Sequence, residues 1–138
     1  RFHTKNRIEM IGKVIKYKFD NTSALNNVFG GRVYPVIGAQ GGATPFAVYD
    51  TTSIRTEGSK DADSHIDIVN VSITMVGTNY GTLQTAVDDV RSTFVRMDET
   101  ILGVNVQTCM FDTVSEVYNV DEETFGVEVD LNFRIIKN

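Results

Sequence analysis

The stretch that decides the fold is His65 to Phe94, HIDIVNVSITMVGTNYGTLQTAVDDVRSTF. Its apolar pattern changes period halfway along. Val69, Val71, Ile73 and Met75 alternate with Asn70, Ser72 and Thr74, the two-residue repeat of a strand with one wet face. Gly77-Thr78-Asn79-Tyr80-Gly81 then breaks the strand. Beyond it Leu83, Val87, Val90, Phe94 and Met97 recur at +4, +3, +4 and +3, with Asp88, Asp89, Arg91 and Arg96 on the wet side. That is an amphipathic helix. A strand that runs straight into such a helix predicts a helix layer lying over a sheet. Ile66 and Ile68 have the opposite parity to Val69. Either a β-bulge near Ile68-Val69 returns all six apolar side chains to one face, or this end of the strand is covered on both sides.

Downstream, Asp98 to Gly103 is a connection. Val104 to Tyr118 and Glu123 to Ile136 are two long strands joined by Asn119-Val120-Asp121-Glu122. In the last strand Phe125, Val127, Val129, Leu131, Phe133 and Ile135 point one way, and Glu128, Asp130, Asn132 and Arg134 the other. Upstream, Ser53 to Ala62 is a polar loop or projecting hairpin, preceded by a strand from Phe46 to Thr52 with Pro45 at its first position. Gly38 to Thr44 turns the chain. Val33-Tyr34-Pro35 is a short extended segment whose proline cannot donate to a ladder, so it belongs at an edge or strand end. Ala24 to Phe29 is a short helix ended by Gly30-Gly31, with Asn21, Thr22 and Ser23 as a capping cluster. Met10 to Phe19 is an amphipathic helix with a wide apolar face that includes Tyr17. The expected fold class is therefore α+β: a mostly antiparallel β-sheet with one long and one or two short helices packed on one face, and a polar opposite face. Residues 10–138 are expected as a single domain, and residues 1–9 as a tag remnant or N-terminal extension, with Met10 a natural start.

The 138 residues are 41% hydrophobic and 22% charged, the composition of a globular domain with its own core. The net charge of −5 argues against a protein that clamps nucleic acid by its phosphates. One cysteine, Cys109, permits no internal disulfide and fits a reducing cytoplasm. No apolar run reaches the roughly 18 residues of a membrane span.

Chemistry is sparse. Asp61, Asp63, His65 and Asp67 are the only sequence cluster with metal-ligand chemistry. On a strand their alternate positions lie roughly 6.6 Å apart, which favours a solvated strand edge over a metal site. Asp121-Glu122-Glu123 lacks the spacing of a calcium loop. Gly38-Ala39-Gln40-Gly41-Gly42 lacks the Gly-Lys-Ser/Thr ending of a phosphate loop. Cys109 has no histidine pattern around it and suits a small buried residue. No catalytic residue, cofactor or metal is expected.

The ordered set of segments resembles the tail-completion (tail-terminator, tail-to-head joining) proteins of long-tailed bacteriophages and prophages. It does so over nearly all of residues 10–136: MIGKVIKYKF, the RVYPVIGAQGGATPFAVY segment with its two prolines, the strand-to-helix stretch IDIVNVSITMVGTNYGTLQTAVDDVRSTF, and YNVDEETFGVEVDLNFRI. The resemblance implies a structural virion protein, not an enzyme. It implies a homo-oligomeric ring, expected as a hexamer, that caps the tail tube, ends its polymerisation and joins the tail to the head connector. The implied partners are the tail tube protein and a head connector or completion protein. DNA is expected to pass through without specific binding, and no membrane is involved. The implied location is the virion tail, after synthesis in the bacterial host cytoplasm. A ring needs two different edges that meet. Pro35, Pro45, Phe46, Tyr49, Ile54 and Arg55 are the interface candidates, with the proline-bounded segment as a rigid corner. A head-completion or neck protein, a tail-tube subunit, a non-viral cytoplasmic binding module, and an enzyme using Asp61–Asp67 with a metal are the alternatives.

Overall fold

A computed structural model describes residues 2–35, 44–56, 66–119 and 123–136, with only the backbone of 2–10 and 119. The elements in chain order are α1 (Phe2–Asn21), α2 (Ser23–Phe29), β1 (Val33–Pro35), β2 (Phe46–Thr56), β3 (Ile66–Gly77), α3 (Tyr80–Phe94), β4 (Glu99–Ile101), β5 (Val104–Asn119) and β6 (Thr124–Ile136). The strands form one six-stranded sheet in the order β1-β2-β3-β6-β5-β4. Every pairing is antiparallel except that of β1 with β2. All three helices contribute to one core against one face of this sheet. The expected α+β class is therefore what forms, but with two long helices, α1 and α3, instead of one.

The two periods in His65–Phe94 land as expected. Val69, Val71, Ile73 and Met75 of β3 are buried against the helices, as are Val127, Val129, Leu131, Phe133 and Ile135 of β6. Leu83, Ala86, Val87, Val90 and Phe94 form the inner stripe of α3. The Asn79 side chain caps α3 by accepting from the Thr82 N–H at 2.9 Å. The helix ends before Met97, which is still buried because Arg96, at φ 65°, turns the chain back and donates its N–H to the Cys109 carbonyl.

No bulge occurs in β3, whose register with β6 is unbroken from Ile66 to Gly77. Instead Asp67, Ile68 and Val69 are all buried, so this end is covered on both sides. The bulge lies across the ladder, between Thr51 and Ser53 of β2. It lets β2 continue to Thr56, four residues past its expected end, so the polar loop begins later than Ser53. The Asp98–Gly103 connection contains β4, paired to β5 through a tight turn in which Leu102 and Gly103 both have positive φ. Residues that close a two-residue turn carry no apolar pattern, which is why β4 was not visible in the sequence.

α1 buries Ile11, Val14, Ile15 and Phe19, while Tyr17 is exposed, against expectation. Lys16 Nζ donates to the Gly31 carbonyl at 2.8 Å and pairs with Asp20, and Lys18 pairs with Glu99 of β4 at 2.8 Å. Gly30 ends α2 at φ 55°, the left-handed conformation expected of it. The capping cluster is weaker than expected: Thr22 occupies the N-cap of α2 without a side-chain hydrogen bond, and Asn21 instead donates to the Tyr17 carbonyl. Gly12 lets α1 lie close over the sheet, since a Cβ there would stand 3.0 Å from the Tyr49 ring.

Candidate functional site

Three surfaces carry the unusual residues. The first is the β1–β2 end of the sheet. β1 covers only Ala47, Val48 and Tyr49 of β2, so the outer edge of β2 from Asp50 to Thr56 is open among the described residues. The interface candidates gather here. Pro35 and Arg55 are exposed, while Pro45, Phe46, Tyr49 and Ile54 are half-buried. Phe46 packs on Tyr34 with ring centroids 6.5 Å apart. Ile54 and Tyr49 lean on the core, and burial pushes the Tyr49 phenol up. Pro35, Tyr49, Gly12 and the lysines 13 and 16 of α1 line a groove of about 540 Å³. Residues 36–43, the glycine loop of the expected corner, lie outside the described residues.

Arg32 organises this end, a role that sequence reasoning missed. Its Nε donates to the Pro45 carbonyl at 2.8 Å, its Nη2 to the Val28 carbonyl at 3.2 Å, and its own carbonyl accepts from the Ala47 N–H at 2.9 Å. One side chain thus ties the end of α2 to the start of β2. The only signal in the sequence was its position between a helix-ending Gly30-Gly31 and the extended Val33-Tyr34-Pro35.

The second surface is the opposite end. β4 covers only Val104, Asn105 and Val106, so the outer edge of β5 beyond them is open among the described residues. Met110, Val114, Val117 and Tyr118 are exposed along it, with Tyr80 beside them. The register shift between Phe111 and Thr113 moves the inward positions of β5 from Cys109 and Phe111 to Val114 and Glu116, so that Glu116 pairs opposite Val127 on the helix side of the sheet. There Glu116 accepts from the Tyr80 hydroxyl at 3.0 Å and from Gln84 Nε2. The hydrogen bond to Glu116, with some burial and the carboxylate charge, raises the Tyr80 phenol. Phe125 joins Tyr80 at 5.2 Å and Tyr118 at 4.7 Å between ring centroids. Together they line a pit of about 260 Å³.

The third surface is the polar face of the sheet. Asn132 Nδ2 donates to Asn70 Oδ1, and Asn70 Nδ2 to Ser53 Oγ, a row across three strands. Beside it Asp130 accepts from Ser72 at 2.6 Å and Thr113 at 2.7 Å. Burial pushes the Glu128 carboxyl up, aided by its hydrogen bond to Asp130 and by the charges of Asp130 and Asp50. Burial also acts to raise Asp130, but hydrogen bonds from Ser72, Thr113 and Glu128 outweigh it and hold that group below its usual range. These two shifts act on stability in opposite windows. Raised above its ordinary 4.5, Glu128 contributes stability that is complete below that pH and declines as pH climbs through its folded value. Lowered from 3.8, Asp130 contributes stability present above that value and lost only in stronger acid. Glu128→Gln therefore melts at a higher temperature than wild type at neutral pH. The gap closes as pH falls toward the ordinary glutamate range. Thermal melts followed by circular dichroism from about pH 4 to pH 8 check this; a constant gap would refute it.

Of the metal candidates, Asp61, Asp63 and His65 lie outside the described residues, as do Asp121 and Glu122 of the acidic turn. Asp67 is fully buried and accepts from the Thr56 hydroxyl at 3.1 Å across the β2–β3 ladder. It thus belongs to strand pairing, not to a solvated edge as expected. No group of three or more His, Cys, Asp or Glu side chains among the described residues could hold a metal ion. Cys109 is buried, and burial pushes its thiol up to about 12. Among the described residues, no helix is long and apolar enough to cross a membrane.

Among the described residues, this helix-covered, mostly antiparallel sheet offers two open, chemically different ends as surfaces for contact. The family model for the tail completion protein gp17 matches residues 18–136, and the chain belongs to that family. The fold is similar to that of a chain in the virion of a native gene transfer agent particle, with a TM-score of 0.72 and 11% identity over 87% of this chain and 90% of that one. No curated protein matches the sequence. By its family the chain is thus a structural tail protein, and the expected resemblance is met.

Proposed function

We propose that this protein closes into a homo-oligomeric ring, a hexamer, on the end of the tail tube. The ring ends tube polymerisation and offers its other side to the head connector or completion protein. The observation that carries this reading is the family match over residues 18–136. The sheet supports it physically. A closed ring requires a head-to-tail contact between unlike surfaces, and the open β2 and β5 edges lie at opposite ends of one rigid sheet. Pro35, Pro45, Phe46, Tyr49, Ile54 and Arg55 form one of these contacts, and residues 10–138 are the assembling unit. A net charge of −5 suits a channel through which DNA slides without sticking. The protein acts through contacts, not catalysis, and is made in the host cytoplasm before it joins the virion tail.

The test is negative-stain imaging and light scattering of the purified chain, alone and mixed with tail tubes from an induced lysate. Closed rings, free or seated on tube ends, are expected. Continuous tubes of this chain would make it a tube subunit. Tubes that never acquire the protein would end the capping reading.

A further inference from the structure

We propose that the pit of Tyr80, Glu116, Tyr118 and Phe125 receives the Arg55 guanidinium of a second copy of this chain, so that the β5 end of one subunit meets the β2 end of the next. This rests on the ring reading and deepens it by naming the two surfaces that meet.

The pit has the chemistry of a cation receptor. Three aromatic rings surround a carboxylate, and ring faces attract a guanidinium or ammonium. The two groups that hydrogen-bond Glu116, Tyr80 and Gln84, are both neutral, so its charge is oriented but not compensated. Among the described residues, no lysine or arginine forms an ion pair with it. Arg91, which is also exposed, lies instead over the Phe111 ring at 4.1 Å. Tyr118 and Val117 remain exposed at the rim, at 49% and 69%. An apolar, aromatic hollow with one uncompensated carboxylate is complementary to a flat cation with an aliphatic stem.

The chain carries such a cation at its other end. Arg55 is exposed, and its side chain makes no hydrogen bond or ion pair among the described residues. It stands on the part of β2 that extends past β1, where the strand edge is open. Lys13 is exposed in the same way, but it lies by the α1 groove and is a compact ammonium. Only a guanidinium both stacks on rings and grips a carboxylate through two parallel N–H donors. Donor and receptor at opposite ends of one sheet cannot meet within a subunit. Between copies they give the unlike, repeating contact from which a ring closes.

Charge reversal tests the pairing. Arg55→Glu and Glu116→Arg are both at exposed positions, and each variant should keep the wild-type circular dichroism spectrum. Sedimentation of the wild type across a concentration series up to about millimolar should show self-association, weakened at least about tenfold by either reversal, which is about 1.4 kcal/mol. An equimolar mixture of the two reversed variants should associate again, because each supplies the charge the other now requires. Glu116→Gln, which keeps an acceptor for Tyr80, should weaken association like the reversals. Wild-type rings that persist in both reversals would overturn this contact while leaving the ring reading intact. So would a mixture that fails to associate, or a wild type that stays monomeric throughout. The ring reading itself stands or falls on the imaging with tail tubes.

Discussion

Phe94→Ala should lower the stability of the domain by about 3–5 kcal/mol, the largest loss expected from any single truncation here. The reason is its place in a chain of rings. Phe94 packs on Phe19 of α1 at 6.0 Å and, edge to face, on Phe133 of β6 at 6.0 Å, and Phe19 in turn meets Phe29 of α2 at 5.5 Å. All four side chains are at most 1% exposed. Removing the middle ring leaves a cavity bordered by three helices and the sheet, which cannot collapse from one side. For a domain of this size the loss corresponds to a melting temperature lower by about 10–15 °C. Chemical denaturation checks it. A loss under about 1.5 kcal/mol would mean that the helix layer repacks freely, and that the aromatic chain does not set its position.

The second large effect is expected at Arg32. Arg32→Met keeps the aliphatic bulk and removes the donors to the Pro45 and Val28 carbonyls. Hydrogen bonds from a charged donor are worth about 1.5–3 kcal/mol each, and less where solvent reaches them. With both bonds only part-buried, the expected loss is about 2–4 kcal/mol in total. The damage should be local as well as global. The Ala47 amide, held by the Arg32 carbonyl, should exchange its proton faster than the amides in the middle of β3. Arg32→Lys should not restore stability, because one ammonium cannot span two carbonyls fixed on different elements. A variant with wild-type stability and exchange would mean that the β1–β2 end is held by packing alone. The same substitution should also weaken assembly if this end is an interface, since Pro35, Tyr49 and Arg55 depend on the alignment of β1 and β2.

The part of the fold governed by period and local stereochemistry was legible in the order of residues alone. Alternation in Val69–Met75 and in Phe125–Ile135 specified strands with one apolar face. The helical spacing of Leu83 to Phe94 specified the helix that covers them. Gly30 marked the end of α2, and Pro35 marked a sheet edge. These signals are local because burial of one face demands a repeat that matches the backbone geometry. The family was legible too, in the order of the segments.

Which strands neighbour one another, and so where the open edges lie, emerges only with the paired sheet. β2 runs to Thr56 because β3 offers it a partner, although Ser53–Thr56 has no strand pattern. Asp67, read as a solvated edge carboxylate, is buried because Thr56 faces it across that same ladder. Glu116 faces the helix side because the register shift between Phe111 and Thr113 moves the inward positions of β5 from odd-numbered to even-numbered residues. Arg32 bridges carbonyls thirteen and four residues away in the chain. Apart from the local Arg32–Val28 contact, each of these depends on groups that meet only once separate strands have paired. A one-dimensional pattern records which face of an element is apolar, but not what lies across from it.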